Sequence, residues 1–236
     1  MRNNLILMRK IDSVSAGFSF LYYNVFSDKL HLIYFSTFSA AYVLTDLSFV
    51  TDYFNGDDKA AFHYIFKYFD IANGVILNTH FIHNDTENGE VHYFPDRGYF
   101  LREIVLSQEV FADKVADKGG AILNDAPEYT KKMLVDLLPA LIPSKEVLRN
   151  YALTVFLTAK KIIGYNGFSL GKVCRHPHNI IAVSFYNCKA GDEESEDACI
   201  NTLLHELLHA MGARDSRAKD SVMQAEGAPT IRVMVF

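Results

Sequence analysis

The sequence predicts an α+β fold: a mixed twisted sheet joined to helices, a long one among them near the C-terminus. Three observations predict it. Extended apolar runs fill residues 17–50 and return at Gly167–Arg175 and Ile180–Tyr186. Helical periodicity occupies separate stretches between and after them. The chain has 236 residues, half of them apolar and 22% charged, which is material for a core and excludes long disorder.

The elements follow in order. Residues 17–50 are rich in Phe, Tyr, Leu and Val and break at Asn24–Lys29, as strands joined by a turn do. Asn55-Gly56-Asp57-Asp58 opens a helix in which Ala61, Ile65, Tyr68 and Ala72 share a face, with Asn73-Gly74 as its stop. Val75–His83 and Glu90–Phe94 read as extended, separated by the turn composition Asp85-Thr86-Glu87-Asn88-Gly89. A helix is expected over Glu128–Leu138, broken by Pro139 and Pro143. Ser144 then caps a further expected helix, with Leu148, Tyr151, Ala152, Val155, Ala159 and Ile162 on one face and Gly164 at its end. No repeat or linker interrupts the chain, so residues 1–236 read as a single domain, with 105–165 as a helical insertion and the chemistry-bearing part at about 165–236.

Composition excludes several functions. The net charge is −5 and basic residues come only in scattered pairs such as Lys131–Lys132 and Lys160–Lys161, which speaks against nucleic acid as a partner. The stretch Leu30–Val50 is apolar, but His31, Asp46 and several hydroxyl side chains make it strand material, and no membrane span is expected. Arg9 and Lys10 interrupt the N-terminal apolar run too early for a signal peptide, so a soluble protein is expected, cytoplasmic or secreted by a non-standard route. Three cysteines, Cys174, Cys188 and Cys199, exclude a disulfide-stapled scaffold and leave one bridge, Cys188–Cys199, open.

One stretch stands apart, Asn201 to Ser216, which contains His205-Glu206-Leu207-Leu208-His209. Its flanks make it helical: Ser195 can serve as N-cap, Glu196 and Asp197 suit the first turn, and Gly212 suits the position after the C-cap. Histidines four apart lie on one helical face, so both imidazoles can reach one zinc ion. Glu206 sits beside the first ligand, where its carboxylate can act on a water polarised by the metal without ligating the metal. Gly212 permits a sharp turn, after which Asp215 can return as third ligand. The plainer alternatives are a solvated polar stripe on the helix, or Asp215 as a loop residue capping its own backbone while Asp220 or another carboxylate ligates.

Met223 follows in Asp220-Ser221-Val222-Met223, and at this point the stretch resembles the metzincin clan of zinc metallopeptidases, HExxHxxGxxH/D followed by a Met-turn. The spacing to Met223, and Ser216 directly after Asp215, resemble the matrixin branch. Asp in the third position is similar to the snapalysin type. The resemblance covers Asn201–Met223 and implies a metzincin-like fold with a long active-site helix and a Met-turn. It implies Zn2+ held by His205, His209 and Asp215, Glu206 as general base, Met223 as an apolar floor beneath the metal, and a protein or peptide substrate. The expected activity is that of a zinc-dependent endopeptidase. A non-catalytic binding protein that keeps the zinc site, and a zinc amidase acting on a non-peptide bond, are the alternatives. The chain departs from the clan in having only a short segment after Met223, whose Thr230–Phe236 reads as a strand. It also lacks a cysteine-switch motif, since Cys174-Arg175-His176-Pro177 is not one.

Other histidines carry a weaker signal. His80, His83 and His92 fall on neighbouring extended segments, either as a second metal site or as ordinary hydrogen-bonded residues, and His176 and His178 lie in a Pro-containing turn.

Overall fold

The structure is a computed structural model that describes residues 10–11, 18–24, 29–35, 37–78, 81–85, 90–94, 97–106, 126–141, 153–170, 179–213, 215 and 222–224. In chain order the strands are β1 (Lys10–Ile11), β2 (Phe18–Asn24), β3 (Lys29–Phe35) and β4 (Thr37–Thr45), followed by a π-helical turn at Phe49–Tyr53 and helix α1 (Asp58–Asn78). Then come β5 (Phe81–Asp85), β6 (Glu90–Phe94), β7 (Arg97–Val105), β8 (Glu128–Tyr129) and helix α2 (Lys131–Leu141). The last are β9 (Leu153–Thr158), β10 (Lys161–Ile162), β11 (Gly167–Leu170), β12 (Ile180–Ser184) and helix α3 (Glu193–Ala210). Among the described residues no helix is long and apolar enough to cross a membrane.

The chain divides into two compact units, Met1–Phe38 with Asn73–Tyr99, and Ser39–Ala72 with Phe100–Phe236. In the first, β1, β2 and β3 form an antiparallel sheet, and β5 and β6 form an antiparallel pair in which His83 is the register partner of His92. His80 lies outside the described residues. The Asn73 amide donates to the Tyr99 carbonyl at 2.7 Å and accepts from the Tyr99 N–H at 2.8 Å. With that side chain committed to a tertiary bond and Gly74 keeping negative φ, α1 runs on through Asn73-Gly74 to Asn78, and the extended reading of Val75–Asn78 is corrected to helix.

The second unit holds a mixed sheet in the order β11-β12-β9-β4-β7. Strands β4, β9 and β12 run parallel, and β11 pairs antiparallel with β12 at the edge. Leu44, Phe156, Ala182 and Phe168 stand in one register row, and with Tyr42 and Ile180 they pack on Tyr129, Leu134 and Leu138. Residues alternate along a strand, so Gly167, Val183 and Leu157 belong to the opposite face, on which α3 packs.

The helix expected over Ser144–Gly164 is corrected: Leu153–Thr158 is a strand and the centre of this sheet. All six of its residues are buried. A parallel strand covered on both faces shows a continuous apolar run instead of alternation, and such a run can satisfy a helical template by coincidence. The described part of 105–165 thus supplies the middle of the sheet in addition to α2. That helix starts later than expected, because Glu128–Tyr129 pairs in parallel with Lys161–Ile162. Thr130 caps it, its hydroxyl accepting the Met133 N–H at 3.1 Å, and it runs through Pro139 to Leu141, past the break expected there.

At the end of β4 the buried Asp46 carboxylate collects four donors. Oδ1 accepts from Ser48 Oγ (2.7 Å) and the Phe49 N–H (3.0 Å), and Oδ2 from Thr158 Oγ1 (2.6 Å) and Tyr129 Oη (2.7 Å). These bonds tie β4, β8 and β9 together and supply the pairing that a buried charge requires.

Candidate metal centre

Helix α3 carries the His-Glu-x-x-His stretch and is buried on most sides, through Cys199, Ile200, Leu203, Leu204, Leu207, Leu208 and Ala210. Asp192 stands at the N-cap in extended conformation, and Glu193, Glu194 and Glu196 oppose the helix dipole in the first turn. Ser195, expected as the cap, lies inside that turn. The preceding loop folds back on it, so its hydroxyl accepts the Lys189 N–H at 2.9 Å instead. The same loop is held by a disulfide between Cys188 and Cys199, with Cα atoms 6.4 Å apart.

A second tie fixes the helix start. The Glu196 carboxylate accepts from the Tyr64 hydroxyl, from Lys67 Nζ at 3.0 Å and from the Gly191 N–H at 2.6 Å. Burial pushes this carboxyl up, but the bonds from Tyr64, Gly191 and Lys67 outweigh it and hold it below its ordinary 4.5. A carboxylate with a lowered folded value contributes stability above that ordinary value and loses it as pH falls through the folded one. Glu196→Gln is therefore expected to lower the thermal midpoint near neutral pH and to flatten its decline below about pH 4.5. Melting curves across the acidic range check this, and an unchanged acid limb would contradict it.

At the other end, Gly212 adopts φ 101°, and its N–H donates to the His209 carbonyl at 2.9 Å while the Ala213 N–H donates to the Leu208 carbonyl at 3.0 Å. This pair of bonds is a Schellman stop, which needs the left-handed residue that glycine tolerates. The turn brings Asp215 back over the helix. Its Oδ1 lies 3.1 Å from His209 Nε2 and 3.5 Å from His205 Nε2, and the three ligand atoms all lie within 4.8 Å of one another. Two ligands at 2.0–2.1 Å from a tetrahedral zinc ion sit about 3.3 Å apart, so the spacing suits a shared divalent metal.

The tautomers suit it too. His205 Nδ1 donates to the Val222 carbonyl at 2.7 Å, and His209 Nδ1 donates to the Ala213 carbonyl at 3.0 Å. Each ring thereby keeps the Nε2 lone pair free and aimed at Asp215, as metal-binding histidines require. Val222 and Met223 form a half-buried turn, so the Met223 segment meets the site first through the main chain of its neighbour. Asp220, His176 and His178 lie outside the described residues.

Glu206 is 5% exposed, and its Oε2 is buried with no hydrogen-bond partner among the described residues. Burial pushes its carboxyl up to about 7, and the Asp215 carboxylate adds to the rise. A buried carboxyl oxygen without a partner fits a place where water or a ligand completes the site. Helix α3 comes this close to β11 because Gly167 has no side chain. A Cβ there would stand 3.0 Å from Glu206 Cγ and from Thr202 Cγ2, and 3.1 Å from the Ala182 carbonyl.

The structure thus brings His205, His209 and Asp215 together beside Glu206. The sequence reading missed three participants: the Val222 carbonyl, the Ala213 carbonyl and Gly167. A carbonyl has no residue-type signal, and Gly167 reaches the site only through sheet pairing.

No family model matches the chain, and no curated protein matches it. A solved chaperone–substrate complex is similar over 86% of this chain at 10% identity and a TM-score of 0.45, and the chain spans 27% of that protein's length. A solved archaemetzincin from Methanopyrus kandleri is similar over 83% of this chain and 84% of its own, at 15% identity and a TM-score of 0.44.

Proposed function

We propose that this protein is a zinc-dependent endopeptidase with a metzincin-like centre. The observation that carries the reading is the convergence of His205 Nε2, His209 Nε2 and Asp215 Oδ1, with both Nδ1 atoms committed to carbonyls, beside the unpartnered buried Glu206. His205, His209 and Asp215 would hold the ion, and Met223 would lie under it as an apolar floor. Zinc supplies Lewis acidity there, polarising the peptide carbonyl and acidifying water.

The chain's own groups do the rest. Glu206 takes a proton from the attacking water and returns it to the leaving amine. Burial disfavours its charged form, which favours uptake of that proton. Glu206 is itself buried, which limits competing solvent. The substrate would lie extended along the edge strand β11, where main-chain pairing fixes register with little demand on sequence.

Digestion of a diverse peptide library by zinc-loaded protein tests this reading. Cleavage is expected, lost on chelation and restored by zinc. Zinc-loaded protein that cleaves no peptide would overturn the endopeptidase and leave a binding protein, or an amidase if a non-peptide amide is hydrolysed.

A further inference from the structure

The two lysines that open α2 have different surroundings. Lys132 pairs with Asp136 one turn along the helix at 2.6 Å, an exposed bridge. Lys131 makes no ion pair among the described residues. Its ammonium instead lies 4.9 Å from the centroid of the Tyr165 ring and 5.3 Å from that of Phe168. Phe168 lies on the edge strand with its ring buried in the core, whereas Tyr165 stands just before that strand and is 46% exposed. Attraction to the ring faces holds a cation in place without neutralising it.

A cation with no ion pair among the described residues therefore stands at the face of the edge strand that carries Phe168. A peptide paired along β11 would carry one side chain past it. We propose that Lys131 is a specificity residue that selects peptides bearing an acidic side chain alongside Gly167–Phe168. This rests on the peptidase reading for where the peptide lies. The carboxylate meets an ammonium that the aromatic pair has already positioned, so little side-chain freedom is lost on binding. A half-buried pair of this kind supplies a preference of about fivefold to tenfold over the neutral amide.

The test separates binding from cleavage. Fluorescent peptides of one sequence, blocked at both ends, carry a single Glu walked along the chain, each matched to the same peptide with Gln. Binding is read by anisotropy on zinc-loaded Glu206→Gln protein, with Lys131 intact, as Lys131→Ala and as Lys131→Glu. At one peptide position Glu is expected to bind about fivefold to tenfold tighter than Gln, with the ratio falling to one in Lys131→Ala and turning in favour of a Lys peptide in Lys131→Glu. A merely structural lysine would weaken all the peptides alike and leave the ratios unmoved. Equal binding of Glu and Gln peptides at every position, or no binding of any peptide, overturns the inference. Cleavage is scored apart, on protein with Glu206 intact. Cleavage without a Glu preference sinks this inference alone, whereas a Glu preference without cleavage sinks the peptidase and leaves Lys131 as a binding determinant.

Discussion

Glu206→Gln is expected to cut peptide cleavage by at least about a hundredfold while the metal stays bound. The side chain is on the helix between two ligands and is not one of the three atoms that converge on the metal position. Its loss therefore removes the proton acceptor and leaves the ligand set intact. Gln keeps the volume that packs against Gly167 and removes a charge that burial disfavours, so folding is not expected to suffer. General-base catalysis supplies a factor of about 10²–10⁴, and a group that also returns the proton sits toward the upper end. Turnover on a cleaved library peptide, measured beside metal content, checks the prediction. Undiminished turnover in the variant would refute the mechanism even with the metal site correct.

The double replacement His205→Ala with His209→Ala is expected to weaken zinc by at least about ten-thousandfold, on the basis of roughly 3 kcal/mol for each nitrogen ligand. Of the three converging ligands Asp215 alone would remain, half-exposed. The Val222 and Ala213 carbonyls would also lose their imidazole donors, which loosens the turn that carries Met223. Competition titration against a chelator of known affinity gives the change. Asp215→Ala, which removes a single ligand, is expected to fall between wild type and the double variant. Full zinc retention in the double variant would move the site elsewhere.

Much of this centre is legible in local sequence because the physics that builds it is local. Histidines four apart must share a face of whatever helix they lie on, whatever the rest of the chain does. Gly212 is readable for the same reason: the stop it makes spans only Leu208 to Ala213. The strands at Gly167 and Ile180 are equally visible, because short β-rich runs between turn residues are local signals. Asn73 and Ser195 misled because each looked like a cap, and each spends its polar atoms elsewhere, Asn73 on the distant Tyr99 main chain and Ser195 on the loop before the helix.

By itself, then, the sequence determined the helix that bears His205, Glu206 and His209 and the turn that returns Asp215. Only the tertiary structure decided that Leu153–Thr158 is the central strand, since burial on both faces erases the alternation that marks a strand. It alone supplied the Val222 carbonyl to His205, the space that Gly167 leaves for Glu206, and the aromatic seat that holds Lys131 beside the edge strand. Each of these joins residues far apart in the chain, and spacing along a sequence encodes the geometry of one element, not the meeting of several.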